Sequence, residues 1–306
     1  MSDDEPVDTC CASCGIAEID DIKLVPCDDC DLVKYCSDEC RENHKSEHEE
    51  YCKKRAAELR DELLFKLPES THLEDCPICC LPMPLDSTKF GVYACCGKRI
   101  CRGCHHAHVQ QENKARLQPK CPFCRNNCPK SKKEGYKQLM KRVKANDPVA
   151  IRSLGEQHNA KGHYSRAFKC FTKAAELGDM EAHFELGNLF HYGQFVEKDE
   201  GKMAYHMEKA AIGGHAPART NLGIHEWNNG EKERAVKHWI IAATQGQDDS
   251  IKMMMRKFRE GLVSKEDLAT ALRAHKAAVD AFKSPQRRLA EEDQNYRNEL
   301  MYRNGY

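Results

Sequence analysis

Residues 11–52 read CASCGIAEIDDIKLVPCDDCDLVKYCSDECRENHKSEHEEYC. Eight candidate metal ligands fall here in the order Cys-x2-Cys, Cys-x2-Cys, Cys-x3-Cys, His-x3-Cys: Cys11, Cys14, Cys27, Cys30, Cys36, Cys40, His48 and Cys52. A structural zinc ion takes four thiolate or imidazole ligands in a tetrahedron, so the eight make two complete sites. About forty residues are too few for a self-sufficient hydrophobic core, which leaves the metal to hold the segment together. Cys10 is a spare thiol that can compete with Cys11 for the first position.

The spacing resembles that of the MYND zinc finger, down to the family's Tyr-Cys pair at Tyr35-Cys36 and its closing His-x3-Cys at His48 and Cys52. The resemblance implies interleaved sites. Cys11, Cys14, Cys36 and Cys40 would hold one zinc ion, and Cys27, Cys30, His48 and Cys52 the other. Where the family usually has Gln after the sixth ligand this chain has Arg41, and the family's nearby Trp is missing. Neither departure touches the metal; both bear on which peptide the finger binds.

The rest of the composition agrees with metal rather than disulfides. Eighteen of the 19 cysteines fall before residue 129, mostly in Cys-x2-Cys pairs, and only Cys170 lies beyond. The opening MSDDEPVD has no apolar stretch and reads as no signal peptide. No run approaches the roughly eighteen apolar residues of a membrane span. These facts lead us to expect a reducing compartment, cytoplasm or nucleus, and no membrane. Lys+Arg and Asp+Glu balance at 48 each, and the first finger is acidic, so no nucleic-acid partner is expected.

A second cluster opens at Cys76. The pairs are Cys76/Cys79, Cys101/Cys104 and Cys121/Cys124, with Cys95-Cys96 between the first two. Over residues 73–128 this resembles a RING finger, whose ligand pairs alternate between two zinc ions. The resemblance assigns Cys76, Cys79, Cys101 and Cys104 to one site. For the other it offers Cys96, Cys121 and Cys124, but at the usual fourth position stands Lys98, whose ammonium has no lone pair to give. Cys95 is the better replacement, with His105, His106 and His108 also near in sequence. Four zinc ions in all are therefore expected.

RING fingers that recruit ubiquitin-conjugating enzymes carry an apolar residue inside the first pair, Pro inside the last and often Arg just after it. Ile78, Pro122 and Arg125 stand at these positions. A guanidinium fork can bridge two acceptors, which suits an Arg set between conjugating enzyme and ubiquitin. The family's central-helix contact, commonly Trp, falls near His108 or Val109 here. Cys80 and Cys128 are left over as small apolar or loop thiols.

From about residue 147 the sequence repeats. Leu-Gly recurs at Leu154-Gly155, Leu186-Gly187 and Leu222-Gly223, and Ala-Ala at Ala174-Ala175, Ala210-Ala211 and Ala242-Ala243. A period of 32 to 36 residues signals stacked helical hairpins. Ala167, Phe171, Ala174 and Ala175 superpose on Ala235, Trp239, Ala242 and Ala243 at i, i+4, i+7, i+8, one face of a helix. The pattern resembles Sel-one-like repeats, relatives of the tetratricopeptide repeat, with a degenerate further copy near Ser250 to Phe282. The histidines of this half, His183, His206, His215 and His238 among them, read as surface or hairpin residues.

The fold class expected is small zinc-stabilised α+β domains, MYND-like and RING-like, followed by an all-α solenoid of helical-hairpin repeats. In order come an acidic disordered start at 1–9, the MYND-like finger at 10–52, a helical linker at 53–72 and the RING-like finger at 73–128. A basic linker at 129–146, read as a solvated helix, the repeats at 147–283 and a polar tail at 284–306, which extends the last helix or frays, complete the chain. A solenoid without a catalytic constellation is a binding surface. Joined to the two fingers it reads as an adaptor of the RING-type ubiquitin-ligase kind. Its partners would be a ubiquitin-conjugating enzyme and protein segments held by the finger and repeats. The alternative is a zinc-dependent scaffold without catalysis. A methyltransferase would need glycine-rich cofactor segments, and none follows Cys52.

Overall fold

The structure, a computed structural model, describes residues 10–19, 21–116 and 118–293. The acidic start at 1–9 and residues 294–306 of the tail lie outside the described residues. The chain divides into two compact units, one ending at Lys66 and the other beginning at Leu67.

In the first unit β1 (Val25–Pro26) pairs antiparallel with β2 (Lys34–Tyr35), Val25 opposite Tyr35. Then α1 runs from Asp38 to Phe65. Ser37 caps it, its hydroxyl accepting the Cys40 N–H at 3.2 Å, and Asp38 and Glu39 sit at the positive end of the helix dipole. Helix formers such as Ala56, Ala57, Glu58 and Leu59 carry α1 past Cys52 without a break, so the expected finger and helical linker share one element. The core is meagre: Cys11, Leu24, Cys27, Cys30 and Tyr35. Three of its five residues are cysteines, as expected of a metal-held unit.

The second unit starts with a cysteine-rich region. Its β3 (Phe90–Val92) and β4 (Arg99–Cys101) form an antiparallel hairpin with Gly91 opposite Ile100, and α2 (Arg102–Lys114) follows. Leu73, Met83, Tyr93 and Ile100 join its cysteines in a buried core. Next come α3 (Lys132–Lys144), α4 (Pro148–Ala160), α5 (Tyr164–Glu176), α6 (Met180–Tyr192), α7 (Glu200–Ile212) and α8 (Ala216–Asn228). The chain continues through α9 (Lys232–Thr244), α10 (Asp248–Arg259), α11 (Lys265–Ala281) and α12 (Pro285–Glu292). Among the described residues no helix is long and apolar enough to cross a membrane.

The recurring Leu-Gly has a steric cause. In the hairpins α4/α5, α6/α7 and α8/α9, the glycine of the first helix faces the large residue of the second. A Cβ at Gly155 would stand 2.8 Å from Phe171, one at Gly187 2.8 Å from the Met207 methyl, and one at Gly223 2.5 Å from Trp239 Nε1. The alanine pairs lie against the next helix, with Ala174, Ala210, Ala211, Ala242 and Ala243 fully buried. Close approach between helices is what these small residues provide. The degenerate further hairpin is α10/α11, which extends the core around Trp239 with Met254 and Ala271.

One expectation is corrected, and part of the tail, which the sequence leaves undecided, takes a definite form. The basic stretch 129–146 is no solvated linker: α3 packs on α4, burying Leu139 and Arg142, and Val143 joins the first repeat's core. Its lysines face water while one apolar stripe faces the repeats. The polar tail from 284 supplies α12, capped by Ser284 and packed on α2. The cysteine-rich region is therefore fixed to the repeats within one unit. Gly214 adds a further joint, where the His72 N–H donates to the Gly214 carbonyl at 3.1 Å and a Cβ would stand 2.5 Å from the Ser70 oxygen.

Candidate metal centres

Four of the Cys-x2-Cys pairs, Cys11/Cys14, Cys27/Cys30, Cys76/Cys79 and Cys121/Cys124, are tight turns ending in a left-handed residue. Gly15, Asp31, Cys80 and Arg125 have φ of 73°, 60°, 53° and 60°. Each donates its N–H to the carbonyl of the pair's first cysteine, Cys11, Cys27, Cys76 or Cys121, at 2.9, 3.4, 2.8 and 2.9 Å. The turn aims both sulfurs at one point. It also explains Cys80, which occupies the turn position rather than a site.

The structure brings the ligands into four sets, the coordinating atoms of each lying within 4.8 Å of one another. They are Cys11, Cys14, Cys36 and Cys40; Cys27, Cys30, His48 and Cys52; Cys76, Cys79, Cys101 and Cys104; and Cys95, Cys96, Cys121 and Cys124. Sulfur separations are 3.5 Å for Cys14–Cys36, 3.6 Å for Cys36–Cys40, 3.7 Å for Cys27–Cys52, 3.8 Å for Cys79–Cys101 and 3.6 Å for Cys96–Cys121. Tetrahedral zinc with bonds near 2.3 Å has sulfurs about 3.8 Å apart. A disulfide needs about 2.05 Å, and all the cysteines are free. Cys95 lies 3.3 Å from Cys124, while His108 turns away to the Lys120 carbonyl at 2.8 Å. Lys98 stands over the Phe123 ring, 5.4 Å from its centroid.

The thiols are held in a state that invites a cation. Burial opposes ionisation of Cys11, but the amides of Cys14 and Cys36 bring it down to about 6. Its neighbour Cys36, facing Cys14, Cys40 and Cys11, is pushed up to about 12. Burial and then Cys27 push Cys52 up to about 12. In the third set Cys101 leads in holding Cys76 at about 4, and Cys76 in turn raises Cys101. One thiolate forms readily and its neighbours resist becoming the second. A divalent metal removes that resistance. Burial, then His44, hold His48 below the ordinary histidine range, in the neutral form a metal takes; its Nε2 lies 3.1 Å from Cys30 Sγ.

Of the residues singled out for docking, Ile78 is 47% exposed, Pro122 half-buried and Arg125 exposed. Val109 is buried, so the helix position where a contact was expected faces inward. Arg41, in place of the usual Gln, pairs with Asp28 at 3.0 Å. Cys10 stays outside the first set, and Cys128 packs against the core of the cysteine-rich region.

One further cluster had no signal in the sequence because its members are far apart in it. His72 Nε2 and His215 Nε2 lie 3.1 and 3.3 Å from Glu181 Oε2. Ligand spacing alone admits a metal, but the protons decide otherwise. His215 Nδ1 accepts the Ala218 N–H at 3.0 Å as cap of α8, so its Nε2 carries the proton and donates to the carboxylate. Burial alone would raise Glu181; the two imidazole donors, His215 first, hold it well below the carboxylate range. The set is a hydrogen-bonded joint around the buried His215. His215 and His238 are thus buried, contrary to the surface reading.

Residues 11–52 match the MYND finger family, and 157–179, 181–215 and 218–247 match the Sel1 repeat. A comparison with curated proteins gave no match. Among solved structures, c5321, a protective antigen of uropathogenic Escherichia coli with an SLR fold, is 24% identical over 54% of this chain, with a TM-score of 0.39. The matched part spans 37% of that protein's length. A Sel1 repeat protein of Oxalobacter formigenes is 25% identical over 40% of this chain and 97% of its own, with a TM-score of 0.36. The immunity protein PA5088 of Pseudomonas aeruginosa is 19% identical over 66% and 73%, at 0.36. Both matched families mediate contacts between proteins. The chain carries a zinc-binding MYND finger followed by Sel1 repeats, the make-up of a protein-interaction adaptor.

Proposed function

We propose that the protein is a RING-type ubiquitin ligase, holding four zinc ions on the four sets and working in the cytoplasm or nucleus. The region from Cys76 to Cys124 recruits a ubiquitin-conjugating enzyme, while finger and repeats hold the protein to be modified. What carries the reading is the alternation of the two sets in this region. Its first and third cysteine pairs, Cys76/Cys79 and Cys101/Cys104, gather at one point, and its second and fourth, Cys95/Cys96 and Cys121/Cys124, at another. Ile78 and Arg125 are left open to solvent beside them. Zinc here is structural, since all four positions of each set are filled by the chain. Transfer then proceeds by proximity: the chain fixes the thioester of the charged enzyme in a reactive conformation and forms no bond with ubiquitin.

Burial of Val109 favours a second reading, a scaffold without catalysis, because one of the usual docking contacts is lost. Discharge of ubiquitin from a panel of charged conjugating enzymes separates the two. Ile78→Ala is expected to abolish stimulation by removing the apolar contact. Arg125→Ala is expected to leave docking intact and slow discharge, since the fork acts in the closed geometry. Equal discharge with parent, Ile78→Ala and no protein would establish the scaffold.

A further inference from the structure

Arg287 follows Cys79 by 208 residues, yet it reaches the Cys76–Cys104 set. Its side chain is buried, at 7% exposure. Nη1 donates to the carbonyls of Pro82 and Phe282, both at 2.8 Å. Nη2 donates to the Leu81 carbonyl at 3.3 Å and lies 3.7 Å from Cys79 Sγ. The backbone beside it rests on α2, where a Cβ at Gly103 would stand 2.7 Å from the Arg287 nitrogen. Gln286 Oε1 lies 4.0 Å from Cys104 Sγ.

A zinc ion with four thiolates carries a net charge of about −2, and such charge in a dry site needs donors or a counter-charge. Cys76 and Cys101 are wholly buried, so water does not supply them. A guanidinium offers both, with a planar fork that spans a sulfur and the carbonyls of the loop behind it. We propose that Arg287 is a positioning residue for this zinc centre, and that α12 thereby fixes the affinity of a metal site built from residues 76 to 104. The inference rests on the reading that this set holds zinc.

The test uses the full chain with Arg287→Met, Arg287→Lys and, as control, Arg288→Met on the exposed side of α12. Zinc loss to a competing chelator is followed with a metallochromic dye, and the freed cysteines are mapped by alkylation and mass spectrometry. In Arg287→Met one zinc equivalent is expected to leave roughly 10–100-fold faster, with alkylation confined to Cys76, Cys79, Cys101 and Cys104. Arg287→Lys should fall between, and Arg288→Met should match the parent. In cobalt-loaded protein the sulfur-to-metal band of that centre should move to lower energy in Arg287→Met, because a thiolate without its donor gives up charge more easily. Parent-like release in Arg287→Met overturns the inference, as does equal acceleration of all centres in both Arg287 variants. Free alkylation of this set in untreated parent overturns the zinc reading beneath it.

Discussion

Arg125 stands at φ 60°, a backbone position that costs a non-glycine residue about 1–2 kcal/mol. Glycine would relieve this against roughly 0.5–1 kcal/mol of extra freedom in the unfolded chain. Arg125→Gly should therefore melt at or slightly above the parent and, if the proposed ligase reading holds, slow ubiquitin discharge; a clearly lower melting temperature would make the side chain structural. His206 supplies a pH test. Its Nδ1 lies 3.0 Å from that of His183, and burial, then His183, hold it down to about 4. Below about 6.5 the unfolded chain binds a proton that the folded chain refuses, so stability is intact above that pH and falls on acidification towards 4. Each pH unit is worth at most about 1.4 kcal/mol, nearer 1 with the site partly open to solvent. Melting at pH 7.5 and 5.5 should show roughly 1 kcal/mol less loss in His206→Gln than in the parent, zinc loss being common to both. Ligand residues could be read from the sequence because sulfur spacing within a turn is local. The burial of His206 and His215 could not, because it depends on partners from other helices.

The first helix of each repeat is built around a glycine that faces one large residue. Alanine there gains about 1 kcal/mol of helix propensity but must displace that residue. At Gly223 the obstacle is the rigid indole of Trp239, itself buried at 1% exposure and stacked on Trp227 at 5.3 Å. Gly223→Ala is expected to cost about 1–3 kcal/mol in thermal unfolding. At Gly187 the obstacle is the flexible end of Met207, and Gly187→Ala should be close to neutral. If the two variants melt alike, the glycines serve the backbone rather than the fit. Trp239→Ala should cost about 3–5 kcal/mol by leaving a cavity. The repeats themselves were legible because Leu-Gly, the alanine pairs and the large residue recur at fixed offsets. The packing of α3 and α12 was hidden, since charged residues make up half or more of each and few residues are buried, Gly135, Leu139 and Arg142 in α3 and Arg287 and Ala290 in α12.

Metal analysis of the whole chain is expected to find about four zinc equivalents, and a reproducible value near three would remove Cys95 from the fourth set. The sequence divides residues 67–293 into separable domains, whereas they form one compact unit. Chelation should therefore lower the melting temperature of the repeat helices, followed by circular dichroism, as well as unfold the fingers. Repeats that melt identically with and without chelator would show that the contacts at Gly214 and Gly103 carry no stability. This joining was out of reach of the sequence for a plain reason. Gly103 and Gly214 differ from other glycines only in what lies against them.

The Arg287 contact also orders events in time. A ribosome adds roughly 5–20 residues per second, so about 10–40 s separate synthesis of Cys79 from that of Arg287. For most of that interval all four cysteines of the set have been made and their guanidinium has not. A chain truncated before residue 287 keeps all four cysteines of the set but lacks the donor to Cys79 Sγ and to the Pro82 carbonyl.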